Sequence, residues 1–261
     1  MSRGRIRRVA LSRRALLAGA FGSAASAAYA ASTGSAGAPS WLELAETLTR
    51  SAQRLLLSPG NLAREFTEAE MSPEFRANGT EMPDGDDYAR LLDGGFADFR
   101  LRVDGKVETP LDLSLDDLKR LPARTQITRH DCVEGWSAIG KWTGVPLRAI
   151  LGTAGLRPEA RYVVFHCFDE AEATLDGSGT YYESLDLVDA FHPQTILAYG
   201  MNGQDLPVRH GAPLRLRVER QLGYKQAKFI RRLELVDGFS ELGRGRGSFW
   251  ADRGYEWYAG I

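Results

Sequence analysis

Nineteen residues, Arg129 to Leu147 (RHDCVEGWSAIGKWTGVPL), hold one cysteine, two tryptophans, three glycines and a proline. Cys132 has the widest chemistry among them, because a thiolate is both a nucleophile and a soft metal ligand. Arg129, His130 and Lys141 flank it and are the charges available to stabilise that thiolate. The bland alternative is a cysteine packed as a small hydrophobe. Upstream, Thr125-Gln126-Ile127-Thr128 alternates polar with apolar and is rich in β-branched residues, which predicts a strand delivering Cys132 to its end. Gly135, Gly140 and Gly144 argue against a continuous helix after it. Pro146 suits the first turn of a short helix carrying Leu147, Ile150 and Leu151. The spacing therefore predicts the cysteine on a loop between a strand and a helix, where chemistry is often found.

The elements that must position this loop are mostly strands. Phe99 to Val103 alternates, and with Asp104-Gly105 and Lys106 to Glu108 it predicts a hairpin. Ser114 with Asp117 three residues on predicts the capped start of a short helix running through Leu121. Strands are predicted at Arg161 to His166, Gln194 to Tyr199, Leu206 to Val208, Pro213 to Val218 and Phe229 to Val236, with a turn at Asn202-Gly203 and a short helix at Leu185 to Phe191. Strands outnumber helices and the alternation fits antiparallel or mixed pairing, so the fold class is α+β. Trp41 to Leu57 carries apolar residues at helical spacing and Pro59-Gly60 ends it.

With 261 residues, 43% of them hydrophobic, the chain can bury a substantial core, and one large domain is expected over 75–261. The formal net charge is −1, but residues 1–30 hold six arginines and no acid, leaving 27 basic against 34 acidic residues and a body charge of −7. Such a body is no partner for nucleic acid or an anionic membrane surface. The basic start, the apolar run Leu16 to Ala30 and the Ala28-Tyr29-Ala30 ending have the layout of a secretory signal over 1–30, too short and too interrupted for a ~20-residue span. Ser12-Arg13-Arg14-Ala15-Leu16-Leu17 resembles a twin-arginine signal, which places the mature protein in the periplasm. Residues 31–74 are then a linker and an N-terminal helix. In an exported protein the two cysteines, Cys132 and Cys167, raise the alternative of a disulfide.

The run CVEGW followed by KWTGVPL resembles the cofactor segment of the sulfite oxidase superfamily of molybdenum enzymes, and further landmarks recur over roughly residues 75 to 258. The resemblance implies a mixed fold built around β-sheet, with one molybdenum and one pyranopterin (molybdopterin) held in a cleft. It implies that Cys132 is the protein ligand to the metal. His210-Gly211-Ala212-Pro213-Leu214-Arg215 is similar to the family segment in which the histidine and arginine contact the cofactor, and Arg215 suits a bidentate bond to phosphate. Gly223 to Lys228 is similar to the loop whose backbone and lysine hold the cofactor, here Gln226, Ala227 and Lys228. Asn78, and Cys167 with Asp169, match weaker cofactor positions, and position 167 departs from the family in being cysteine. Trp250 to Tyr255 is similar to the segment that places a tyrosine beside the metal, which implies a role for Tyr255 in hydrogen bonding or proton relay. For each lone Arg or Lys the competing reading is a solvated cation on a strand face.

The sulfite pocket itself is not reproduced. Ser137 and Ala77 stand where sulfite oxidases gather arginines, with Arg76, Arg129 and Arg253 as possible replacements. The CVEGW form and the YEWYAGI ending look closer to catalytic subunits of periplasmic methionine sulfoxide reductases. The resemblance thus implies an exported molybdopterin oxidoreductase performing two-electron oxygen-atom transfer on a small sulfur-containing or other oxo substrate. A sulfite dehydrogenase and an exported binding module with a structural Cys132 are the alternatives. A zinc site from His130, Cys132, His166 and Cys167 is disfavoured because adjacent residues of a strand face opposite ways. The chain has no C-x-x-C-H motif, no cysteine cluster and no G-x-G-x-x-G turn, so electrons must pass to or from an external carrier. By resemblance that carrier is a c-type cytochrome or a haem-bearing membrane subunit.

Overall fold

A computed structural model describes residues 60–172, 174 and 179–261, together with 45, 47–49 and 51–53, all seven of which are helical. The signal at 1–30 and the linker near 31–39 lie outside the described residues, as does most of the 41–57 segment. The chain divides between Leu56 and Leu57, and all elements named below belong to the unit that begins at Leu57.

Among the described residues, ten strands form two sheets. The first has the order β2 (Leu111–Ser114), β1 (Arg100–Gly105), β10 (Ile230–Val236), β5 (Tyr162–Glu170), β6 (Thr180–Asp186). The second runs β3 (Arg124–Asp131), β4 (Ser137–Pro146), β7 (Ile196–Met201), β8 (Gln204–Asp205), with β9 (Arg215–Arg217) also paired to β7. Only the β1–β10 pairing is parallel among these ladders, so the sheets are mixed and the class is α+β. Among the residues described from Gly60 on, four short α-helices are peripheral: α1 (Asp86–Asp93), α2 (Leu115–Arg120), α3 (Leu147–Ala154) and α4 (Leu187–Ala190). The larger core gathers Leu101, Val103, Val163, Phe165, Leu216 and Leu233 from strands of both sheets with Leu147, Ile150 and Leu151 of α3. A smaller cluster of Phe75, Trp142, Ile196, Ala198 and Met201 packs separately.

Several expectations change in detail. The residues after Cys132 are not a loop leading to a helix, because Ser137 to Pro146 is a ten-residue strand in full antiparallel register with β3. Cys132 therefore sits in the turn of a β3–β4 hairpin, and the helix at Leu147 comes one strand later. Gly140 and Gly144 are there for close approach: a Cβ on Gly144 would lie 2.2 Å from the Leu197 carbonyl oxygen, and one on Gly140 3.1 Å from the Phe75 ring. The expected return strand at Lys106 to Glu108 is absent, since the Lys106 N–H donates to Leu235 O at 2.7 Å and β1 finds its antiparallel partner later, in β2. Val208 belongs to a 3-10 turn, Val208–His210, with Pro207 before it lacking an N–H for a ladder. The turn at Asn202-Gly203 is as expected, with both residues at positive φ (53° and 81°), the conformation a two-residue hairpin asks for.

A strap, residues 60–78, crosses the second sheet. Glu65 bridges Thr128, the Phe66 N–H donates to Ile127 O at 2.8 Å, and the Ser72 N–H donates to Ile139 O at 3.0 Å. The Gln194 side chain holds the Ala63 backbone at both ends, accepting at 2.7 Å and donating at 3.0 Å. The strap ends by seating Phe75 edge-on against Trp142 (5.3 Å between centroids) and delivering Asn78. Helix α2 shows the expected cap. The Ser114 hydroxyl accepts from the Asp117 N–H at 3.0 Å, and Asp117 in turn accepts from the Ser114 N–H at 2.9 Å. These bonds with Ser114, and Arg120, hold the Asp117 carboxyl down to about 2. Its contribution to stability is complete above the ordinary carboxylate value and disappears as pH falls through about 2. Ser114→Ala should lower unfolding free energy by about 1 kcal/mol, measured by denaturant titration of the purified protein. No change beyond error, or a changed molybdenum content, would show that the box does more or less than cap α2.

Candidate cofactor site

The hairpin turn is built for a thiol. The Cys132 N–H donates to Trp136 O at 2.9 Å and the Gly135 N–H donates back to Cys132 O at 3.1 Å, which Gly135 permits by taking φ 86°. Cys132 lines a cleft whose empty space, open mouth included, is about 650 Å³. Asn78, Asp169, Gln226, Lys228 and Tyr255 line the same cleft, with Thr80, Val133, Tyr181, Gly223, Tyr224 and Trp250. Six of the residues expected from the sequence thus share one cavity, drawn from the strap, the β3–β4 turn, the end of β5, the 223–228 loop and the C-terminal segment.

The charges near the thiol are not those expected. Arg129 is bonded to Asp131 (2.9 Å) and Lys141 to Glu68 (2.5 Å), while the wholly buried His130 receives a hydrogen bond from Arg217 at 3.1 Å. The cation acting on Cys132 is Arg215. Burial nevertheless raises the thiol above its ordinary pKa, outweighing the backbone N–H groups of Glu134 and Val133 and the Arg215 charge. Without a metal, Cys132 is therefore a thiol.

His210 and Arg215 stand behind the cleft wall. Arg215 is fully buried, stacks on Trp142 at 5.0 Å, and donates to His210 O at 3.1 Å and to Asn78 Oδ1 at 3.4 Å. Among the described residues no carboxylate lies within ion-pair distance of it. Burial, then the neighbouring Arg217, pull its pKa down to about 9. Lys228 has the same problem: it donates to Thr80 O and, at 3.1 Å, to Arg209 O, and burial followed by Arg215 lowers it to about 7. His210 is lowered to about 4 by burial and Arg215, and Asp169 raised to about 6 by burial. The solvated-cation reading of Arg215 and Lys228 is thereby excluded.

The remaining two expected residues reach neither the cleft nor the wall behind it. Cys167 lies wholly in the larger core, its thiol burdened by desolvation, and the side chain of Ala227 is buried there too. The strand β5 shifts register between His166 and Glu170, which turns Asp169 toward the cleft while Cys167 stays in the core. Cys132 and Cys167 are both free, and His166 is bonded to Glu234 at 2.8 Å away from Cys167. Two contributors, Tyr181 and Glu183, were missed with their strand β6, whose sequence signal was only the short β-forming run Thr180-Tyr181-Tyr182. The Tyr181 hydroxyl donates to Tyr224 O at 2.5 Å, and Glu183 forms a fully buried pair with Lys225; together they clamp the 223–228 loop.

These surroundings fit a molybdopterin. Arg215 Nε, His210 Nδ1, Asp169 Oδ1 and Gln226 Oε1 are buried polar atoms without a hydrogen-bond partner among the described residues, an arrangement that native interiors avoid unless a ligand supplies the partner. Buried cations without a carboxylate in direct ion-pair contact, Lys228 having Asp169 only nearby, suit a phosphate, and the mixed donors and acceptors suit a pterin ring. The model of the oxidoreductase molybdopterin binding domain matches residues 91–241, and the chain belongs to that family. It is a molybdopterin oxidoreductase domain, with molybdenum-molybdopterin as cofactor.

Among curated relatives, a putative protein-methionine-sulfoxide reductase subunit YedZ1 of Azospira oryzae is 40% identical over 208 residues, 80% of this chain and 71% of that protein. The protein-methionine-sulfoxide reductase catalytic subunit MsrP of Xanthomonas campestris pv. campestris is 36% identical over 174 residues, 64% of this chain and 53% of that one. The chain thus spans about half the length of the MsrP relative. Among solved structures, the sulfane dehydrogenase SoxCD from Paracoccus pantotrophus aligns with TM-score 0.47 and 27% identity over 54% of this chain and 39% of that one.

Arg215→Ala and Lys228→Ala should each lower molybdenum per folded chain, since each removes a charge-assisted contact worth about 1.5–3 kcal/mol, or roughly tenfold or more in affinity. Elemental analysis of the purified protein measures this. Full molybdenum in both variants would show that the cofactor lies elsewhere.

Proposed function

We propose that this chain is the catalytic part of an exported oxidoreductase that moves an oxygen atom to or from a neutral organic oxo compound, a sulfoxide being the favoured class. The observation that carries the reading is Cys132 at the tip of a rigid hairpin, facing a cleft with two uncompensated buried cations and an aromatic mouth. Bound there, molybdopterin would supply a molybdenum centre able to exchange oxygen and two electrons. Cys132 would ligate the metal as thiolate, Arg215 and Lys228 would hold the phosphate, and His210, Asn78 and Gln226 the pterin. Asp169 adds a hydrogen-bonding carboxyl near Lys228, and Ala227 only backbone.

The substrate reading rests on what the mouth lacks. Arg253 is bonded to Glu172 at 2.6 Å, Arg129 to Asp131, and the Ser137 hydroxyl donates to Asp131 at 2.6 Å. Arg76 lies over Trp136 at 5.9 Å. None of these four lines the cleft, so an oxyanion such as sulfite would find none of these three arginines there. Tyr224, Trp250 and Tyr255 form an aromatic edge instead, with ring centroids 5.4 and 5.1 Å from Tyr255, and Val133 and Tyr255 are 46% and 44% exposed at the opening. Such an edge suits the apolar substituents of a thioether or sulfoxide, the class for which the YedZ1 and MsrP relatives are named. Tyr255, which lines the same cleft, would hydrogen-bond the substrate oxygen.

Cys132→Ser should abolish turnover in a protein that still folds, because a hydroxyl is nearly isosteric but a poor substitute for a soft thiolate ligand. Full activity in that variant would sink the assignment. Electrons must come from a separate carrier, for which a c-type cytochrome or a haem-bearing membrane subunit is proposed. The purified protein should therefore reduce a sulfoxide with an artificial one-electron dye, and steady turnover with NADH alone would refute the external carrier. Export is proposed from Ser12-Arg13-Arg14. Replacing Arg13 and Arg14 by lysine should leave the cofactor-loaded protein in the cytoplasm, as cell fractionation would show, and undiminished export would point to another route.

A further inference from the structure

His130 makes one bond that decides its chemistry. Arg217 NH1 lies 3.1 Å from its Nδ1, and a guanidinium can only donate, so Nδ1 is the acceptor and the neutral ring carries its proton on Nε2. Arg217 is itself fixed. Its guanidinium is fully buried, bonded twice to Glu219 (3.0 and 2.6 Å) and stacked on Trp142 at 4.4 Å, and Glu219 accepts a further bond from Gln126 at 2.7 Å. The Nε2–H of His130 is thus a donor by construction. It is buried and has no partner in hydrogen-bond geometry.

What faces it is the cofactor loop. A Cβ on Gly223 would lie 2.5 Å from Nε2, so the loop backbone rests directly on the imidazole edge. The Gln226 side chain stands opposite the ring, and its Oε1 is likewise buried without a partner. Gln226 Nε2 donates to Gln221 O at 3.3 Å, which leaves its second hydrogen unused.

We propose that His130 is a positioning residue: by donating from Nε2 to Gln226 Oε1 it selects the orientation of the Gln226 amide, so that its spare N–H is presented to the pterin. The proposal rests on the molybdopterin reading of the cleft. It gives Glu219, Arg217 and His130 a joint task, since a donor facing Gln226 excludes the flipped amide, which would bring two donors together. Because His130 lies two residues before Cys132 on β3, the same imidazole also ties the metal-ligating turn to the loop under the pterin.

Asparagine and glutamine separate the two ring nitrogens. Asn places its amide near Nδ1 and keeps a partner for Arg217, whereas Gln reaches the position of Nε2 and keeps the donor toward Gln226. His130→Asn should therefore lose molybdenum and fluorescent pterin per folded chain by about tenfold in affinity, while His130→Gln keeps most of both. Gln226→Met should lose as much as His130→Asn, and the double variant His130→Asn/Gln226→Met no more than either alone, since both act through one contact. Thermal melts of the cofactor-free proteins report whether each variant folds. Equal cofactor content in the Asn and Gln variants, or losses that add in the double variant, would overturn the proposal. If the His130 variants do not fold, the comparison moves to Gln226→Glu, whose carboxylate accepts from Nε2 but has no N–H: cofactor content at the wild-type level would overturn the proposal, and a loss like that of Gln226→Met supports it. Wild-type protein devoid of molybdenum and pterin would instead remove the molybdopterin reading itself, and this proposal with it.

Discussion

Buried positive charge organises this domain. Arg217, Arg220, Lys225, Arg215 and Lys228 are all 5% exposed or less, packed within fourteen residues of sequence. The first three have carboxylates in contact: Glu219 at 2.6 Å, Asp189 at 2.6 Å and Glu183. Arg215 and Lys228 have only carbonyl and amide oxygens. Desolvating a cation costs several kcal/mol when nothing of opposite sign is near, so the protein separates structural cations, which are neutralised, from cations held ready for an anion. The depressed pKa values of Arg215 and Lys228 and the raised pKa of the Cys132 thiol are all set first by burial in this one region.

The geometry that holds the two classes apart comes from the second sheet. Strand β9 is only three residues long and all three are buried, because β7 covers one edge while Trp142 packs against the guanidinium groups of Arg215 and Arg217. Trp142 is available there because β4 runs straight through Gly140 and Gly144, whose missing side chains admit the Phe75 ring and the Leu197 backbone. Phe75 in turn is fixed by the strap, and the strap brings Asn78 to Arg215. A tight chain of packing therefore runs from two glycines to an amide that lines the cleft.

This also explains what the amino-acid sequence revealed and what it concealed. Features decided by neighbours in sequence were legible: the β-branched run before Cys132, the Asn202-Gly203 turn and the Ser114 cap. Strand β4 was hidden because its glycines answer to residues some sixty positions away in β7 and to the strap, and glycine looks the same whether it makes a turn or admits a neighbour. The alternation Arg215-Leu216-Arg217 suggested one wet face, yet both faces are dry and the arginines are charged parts of the interior. At the site, the residue types carried most of the information, since Cys132, Asn78, Asp169, Gln226, Lys228 and Tyr255 do converge. Cys167 misled because strand parity fails across the irregular stretch of β5.

The uncompensated cations have a thermodynamic consequence for the whole domain. A ligand that binds only the folded state stabilises it in proportion to the logarithm of its concentration over its dissociation constant, and here the ligand would also supply the opposite charge that Arg215 and Lys228 lack. The cofactor-free fold must keep the 223–228 loop in place without that help. It does so from behind, through the Lys225–Glu183 pair, the Tyr181 bond to Tyr224 O and the Gly223 contact with His130, none of which involves an atom left free for the ligand. The loop is thus held by the groups facing the core, while those facing the cleft stay unsatisfied. That division lets a preformed site survive folding before its cofactor arrives.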